Sequence, residues 1–301
     1  MATPARRSDE CVNFVDASSE TTIDAQMVWP KRWVLLRGLG RESQHWFDFP
    51  ERFADGAGLD CLTLDLPGTG EQRAAPSPLS IPEIARDVAR RFQTTPGARD
   101  GETGVLALSL GAMVALSWAS EHPVDMAALV LVNSSSSLSS PFERIRPGGL
   151  AQLLRSALET DPVARESMIY QLTLNADGPR IIHEATRAAA LARSAPIKRR
   201  TVARQLLAAA RFSPPKVETP TLVLSSAQDS LVNPVCSERL AAYLGCPHLR
   251  HPTAGHDLPL EDPDWVIARV GDWSDALSAA QADPAPRAAP RGRQPPDRTS
   301  S

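Results

Sequence analysis

Nearly continuous apolar runs at residues 33–36, 61–66, 104–108 and 128–132 alternate with stretches whose apolar positions recur at helical spacing. Successive strand side chains point to opposite faces, so an uninterrupted apolar run predicts a strand buried on both sides, as in parallel sheets. Between these runs, residues 44–54 carry Trp46, Phe47, Phe49 and Phe53 at helical spacing, interrupted by Pro50. Residues 81–92 form an amphipathic pattern, with Pro82 suited to a first turn and Ile84, Val88 and Phe92 on one face. The alternation predicts an α/β fold, a mostly parallel sheet flanked by helices on both faces. Such sheets gather their sites at the carboxyl ends of the strands.

The alternation stops between about residues 141 and 211. Only helical signals occur there, at 150–158, 162–174, 179–192 and 198–210, with breaks near Asp161-Pro162, Asp177-Gly178-Pro179 and Ala195-Pro196. This predicts an all-helical insertion, residues 137–212, placed as a lid over the active edge of a core formed by 26–136 and 213–280. Leu150, Leu153, Leu154, Ile169 and Leu172 are its candidate pocket-facing residues. Its arginines (Arg187, Arg193, Arg199, Arg200, Arg204 and Arg211) read as a solvated face. Strand and helix signals resume at 221–226, 234–244, 248–251 and 264–278. Residues 1–25 are polar and aperiodic and read as a mobile leader, in which Val12-Asn13-Phe14-Val15 could add an edge strand. Residues 281–301, rich in Pro, Ala and Arg, read as a disordered tail.

Charge and composition narrow the partners. A net charge of −3 over 301 residues gives no electrostatic reason to expect nucleic acid or an anionic membrane. No run of ~18 apolar residues predicts membrane insertion. Cys11, Cys61, Cys236 and Cys246 show no metal-type pairing and read as reduced structural thiols. The expectation is a soluble cytoplasmic protein without metal or cofactor. Oligomeric state is not legible.

The chemistry centres on Ala107-Leu108-Ser109-Leu110-Gly111, where an apolar strand passes through a serine into a helix. A serine at such a sharp turn has its hydroxyl pushed out above the sheet, and the flanking small residues let the chain turn. A buried serine at an ordinary strand end is the other reading of this segment. A serine nucleophile needs a base, and the base needs an orienting group. Among six histidines, His256 alone follows a late strand in a loop, behind Gly255; His251, at the strand's end, reads as structurally paired or exposed. Asp229 stands in the loop after the strand that leaves the insertion, while Asp257 and Asp262 read as helix-capping or helix-start charges.

These residues resemble the α/β-hydrolase family over residues 28–278. Its order of nucleophile, acid and histidine matches Ser109, Asp229 and His256. Its elbow, Gly-x-Ser-x-Gly, is present with Ala107 for the first glycine. Asp229 with Val232-Asn233-Pro234 matches the acid loop, and Gly255-His256 the histidine loop. The resemblance implies that the backbone N–H groups of Leu39 and Leu110 form an oxyanion hole, with Arg37-Gly38 where the family has His-Gly. Arg37 then bears on substrate charge preference, and Glu42 reads as half of a buried pair with an arginine. Serine at the elbow argues against the dehalogenases and epoxide hydrolases of this fold, which use aspartate. The resemblance therefore implies a serine hydrolase of carboxylic esters or thioesters, acting on a small-molecule acyl substrate. Acyl transfer or carbon–carbon hydrolysis on the same triad, or a non-catalytic binding protein, stay open.

Overall fold

The computed structural model describes residues 29–57, 60–95, 103–194 and 196–282. The expected leader, the strand at Val12-Asn13-Phe14-Val15, Cys11 and residues 283–301 lie outside them. Six strands form one sheet in the order β2-β1-β3-β4-β5-β6: β1 (Arg32–Leu36), β2 (Asp60–Thr63), β3 (Thr103–Leu108), β4 (Ala128–Val132), β5 (Thr221–Ser226) and β6 (His248–His251). All five pairings are parallel.

The period-two rule divides each apolar run between two cores. Val34, Leu36, Val105, Leu129, Leu131 and Val223 face α2 (Ile81–Gln93), α3 (Leu110–Glu121) and α9 (Val235–Leu244). Their strand neighbours, among them Trp33, Leu35, Leu106, Val130 and Leu224, face α1 (Phe49–Ala57), the short α10 (Leu258–Glu261) and α11 (Pro263–Ala282). Continuous apolar strands are therefore the direct result of helices on both faces.

Three boundaries differ from those the hydrophobic pattern predicts. Residues 44–54 are not one helix: a 3-10 turn (Ser43–Trp46) ends at Phe47, whose φ is 51°, and α1 then starts with Pro50 in its first turn. Proline tolerates a first turn and disfavours a helix interior, so the break falls just before it. β2 stops at Thr63 instead of reaching Leu66, because the Asp65 side chain accepts from the N–H groups of Ser43 (2.6 Å) and Glu71 (2.9 Å) and organises a loop. α11 continues through Gln281 and Ala282, residues whose composition groups them with the tail.

Between β4 and β5 the chain passes through five helices: α4 (Pro141–Arg144), α5 (Pro147–Leu158), α6 (Pro162–Thr173), α7 (Gly178–Ser194) and α8 (Arg199–Ala210). The short α4 lacks an amphipathic repeat and is marked instead by a Ser140–Glu143 capping box with Pro141 in its first turn. Arg144 from it donates to the carbonyls of Ala209 and Ala210 at the end of α8. Among the insertion's arginines, Arg193, Arg199, Arg200 and Arg211 are exposed as expected. Arg187 instead pairs with Glu184 (3.1 Å) and lies over the Phe47 ring, and Arg204 donates to the Ser77 carbonyl.

Candidate active site

The winding of the sheet reverses between β1 and β3, since β2 lies on one side of β1 and β3 to β6 on the other. A crevice at the carboxyl edge is expected at such a reversal. The loop after β1, Arg37-Gly38-Leu39-Gly40, meets Ser109 there: a Cβ placed on Gly38 would stand 3.2 Å from Ser109 Cβ.

Ser109 has φ 57° and ψ −114°, an unfavourable conformation for a non-glycine residue, held by tertiary contacts on each side. Its N–H donates to Val132 O (2.8 Å), and its carbonyl accepts from Ser134 Oγ (2.9 Å). Gly111 permits the turn, since a Cβ there would fall 2.5 Å from Leu36 O and 2.7 Å from Arg37 O. The other flanking residue, Ala107, is fully buried with its methyl in the core, so alanine fits where glycine is usual. Ser109 stands at the start of α3, and neither Leu110 N–H nor Leu39 N–H has an acceptor among the described residues. Gly40 N–H is held by Gln205 Oε1 of α8 at 2.9 Å.

Asp229 and His256 meet. His256 Nδ1 lies 2.7 Å from Asp229 Oδ2, and both residues are buried. Asp229 Oδ1 accepts from the N–H groups of Leu231 and Val232, each at 2.8 Å, so the carboxylate is fixed at both oxygens. With Nδ1–H donated to Asp229, the ring's lone pair is on Nε2. No hydrogen bond joins Ser109 Oγ to His256 among the described residues; nucleophile–base bonds commonly tighten only with substrate bound. Asn133 connects the two loops instead. At φ 46° it donates from Nδ2 to His256 O (2.7 Å) and Ser226 Oγ (3.0 Å), and its Oδ1 accepts from Ser226 N–H (2.8 Å).

Asp257 does not serve as a helix-capping charge. It is buried and holds Arg37 through two bonds, Nη1–Oδ1 at 2.9 Å and Nη2–Oδ2 at 2.6 Å. A bidentate arginine–carboxylate pair is among the stronger polar contacts. Arg37 is thereby neutralised and lies over Trp46, 4.7 Å from the ring centre, so it presents no free charge to a substrate. The residue before Gly38 and the residue after His256 are thus bound to each other. Asp262, by contrast, does cap: its Oδ1 accepts Trp265 N–H at the start of α11 (3.1 Å), while Oδ2 contacts His251 Nε2 (3.1 Å).

A second buried arginine pair in this region is Arg41–Glu166 at 2.6 Å, and no ion pair joins Glu42 to an arginine among the described residues. Glu166 comes from α6, a partner no local reading of residues 41–46 could supply. Arg41 also lies over the Tyr170 ring (5.0 Å), whose hydroxyl is buried without a partner. Burial pushes that phenol up to about 12. Glu42 is buried too; burial, and then the nearby Asp65, raise its carboxyl above the usual range. His45 is held well below its ordinary value by burial and by the charges of Arg41 and Arg37. Of the five candidate pocket residues, only Leu172 is buried, while Leu150 and Leu154 face solvent.

Among the described residues no helix is long and apolar enough to cross a membrane, and Cys61, Cys236 and Cys246 are free thiols. The sequence model of the alpha/beta hydrolase family matches residues 33–269. The chain is 30% identical over 242 residues to a protein of Klebsiella pneumoniae (strain 342) named "Putative carbamate hydrolase RutD", covering 77% of this chain and 86% of that one. A structure described as an esterase from Thermogutta terrifontis superposes with a TM-score of 0.63 at 20% identity, covering 83% of this chain and 91% of that one. The structure of a Mycobacterium tuberculosis H37Rv protein described as "Putative non-heme bromoperoxidase BpoC" gives 0.66 at 20% identity, covering 82% of this chain and 92% of that one. These structures share the fold and differ in described activity, so the fold alone does not set the chemistry. With the reversed sheet order, the strained elbow and a family match from β1 into α11, the chain belongs to the alpha/beta hydrolase family and is an enzyme of that fold.

Proposed function

We propose that this enzyme is a serine hydrolase of carboxylic esters or thioesters. The observation that carries the reading is the buried Asp229–His256 bond of 2.7 Å at the same sheet edge as Ser109 with its φ of 57°. His256 Nε2 takes the proton of Ser109 as Oγ bonds to the acyl carbon, and Asp229 stabilises the imidazolium that forms. The tetrahedral oxyanion is received by the unpaired N–H groups of Leu39 and Leu110; one such donor is typically worth ~2.7–4 kcal/mol. His256 then gives the proton to the departing alkoxide or thiolate, leaving an acyl group on Ser109. Water, deprotonated by the same ring, releases the acid and restores the serine. The helical insertion serves as the lid that limits water access and shapes the acyl pocket.

The relatives that carry the carbamate-hydrolase name favour a second substrate class at the same serine, carbamates. Their carbonyl would meet the same donors, with an amine or alkoxide leaving. Labelling with a fluorophosphonate probe tests the shared chemistry. Wild-type protein is expected to be labelled and Ser109→Ala to be unlabelled at an unchanged melting temperature. Labelling that persists in Ser109→Ala would overturn the assignment of the nucleophile. A panel of esters, thioesters and carbamates then ranks the substrate classes by kcat/KM.

A further inference from the structure

A cleft of about 500 Å³ opens between α5, α6 and the loop after β5. Arg146, Gly149 and Gln152 form one wall, Gln171 and Leu172 a second, and Ser230 the third. Its volume falls within the range of ordinary small-molecule sites. Backbone contacts tie its walls to the loops that carry Asp229 and His256. Ser230 directly follows Asp229, and Arg146 N–H donates to Leu231 O at 2.9 Å, so the arginine is pinned to the acid loop. On the other wall, Leu172 precedes Thr173, whose carbonyl accepts Asp257 N–H at 2.8 Å, next to His256.

Arg146 is the one charged residue in these walls. Its guanidinium makes no ion pair or hydrogen bond among the described residues, and its Nε is buried without a partner. Arg37, Arg41, Arg144, Arg180 and Arg204 all find a carboxylate or a carbonyl around the same sheet edge. A partly buried guanidinium loses hydration and regains nothing unless an acceptor arrives, and its planar fork of donors suits a carboxylate. Leu172 gives the cleft an apolar wall for the carbon chain that would carry that carboxylate.

Building on the serine-hydrolase reading, we infer that this cleft is an anion subsite. Arg146 holds a substrate carboxylate remote from the scissile carbonyl, so the preferred substrate is an acid that also bears the ester. The test compares p-nitrophenyl pentanoate with mono-p-nitrophenyl glutarate, equal in acyl length and differing in a terminal carboxylate. Wild-type enzyme is expected to favour the glutarate ester in kcat/KM by on the order of tenfold. Arg146→Gln should collapse that ratio towards one, and Arg146→Lys should restore part of it. A ratio unchanged in Arg146→Gln, or no glutarate preference in wild type, overturns the subsite. If neither ester is cleaved, the ester-hydrolase reading fails separately, and glutarate binding decides the subsite. A rise in melting temperature in wild type but not in Arg146→Gln supports it; an equal rise, or none, overturns it.

Discussion

The two ends of the helical insertion meet the sheet edge in opposite ways. From α6 to α8 the contacts are buried and polar: Glu166 with Arg41, Thr173 O with Asp257 N–H, Gln205 with Gly40 N–H. α5 instead turns Leu150, Leu154 and Leu158 outward, the last 75% exposed, and leaves Arg146 unpaired beside a cleft. Desolvated ion pairs fix geometry because a single broken partner is costly, whereas exposed leucines fix little. The later helices are thus built to hold the Gly38–Gly40 and His256 loops in place. α5 leaves its leucines and the Arg146 guanidinium outside such buried contacts.

That contrast predicts unequal damage. Glu166→Leu leaves Arg41 buried and uncompensated, and is expected to cost about 3–5 kcal/mol in chemical denaturation. Replacing Arg41 by Met in the same chain should recover most of that loss; failure to recover would mean that the pair is not the fastening it resembles. The next effect is pH-dependent and concerns the same side. His45 stays neutral in the fold, so below its ordinary value near 6.5 the unfolded chain binds a proton that the native state refuses. Stability should therefore be fully present above about pH 6.5 and decline as pH falls. Melting temperatures of wild type should drop more between pH 7 and 5 than those of His45→Gln; parallel curves would remove His45 from the account. Smallest of all, Leu158→Gln on α5 should shift stability by no more than about 0.5 kcal/mol. A large loss there would show that α5 is held as firmly as α6.

How much of this can be read from the chain depends on how far apart the partners are. The strands are legible because burial on two faces removes polar residues from a short run, as in Val105 to Leu108 or Ala128 to Val132. The turns at Ser109 and His256 are legible because close backbone approach demands a small residue at a fixed offset, Gly111 two after Ser109 and Gly255 just before His256. Arg37–Asp257 leaves no such trace: a pair across the fold imposes no spacing, and Asp257 just ahead of Pro259 looks locally like a helix-start charge. Glu166 and Gln205 are hidden in the same way, as single polar residues on helices whose inward faces the amphipathic pattern marks only weakly. Arg41 is visible as part of a distinctive cluster, but Glu42 beside it draws the pairing to the wrong residue.

Arg37 and Asp257 stand 220 positions apart. On the ribosome, the segment that carries Gly38 and Leu39 is made early, while the carboxylate that neutralises its arginine emerges only after the sheet's sixth strand. Until then Arg37 has no reason to leave water, and the loop beside it has no reason to adopt its final shape. Closure of this pair is therefore a late event that joins the two ends of the sheet's sequence at one point. A chain cut short before Asp257 would keep the elbow serine, yet lack the contact that sets the opposing loop. The loop that carries Gly38 and Leu39 thus takes its final shape only after the last strand of the sheet has been made.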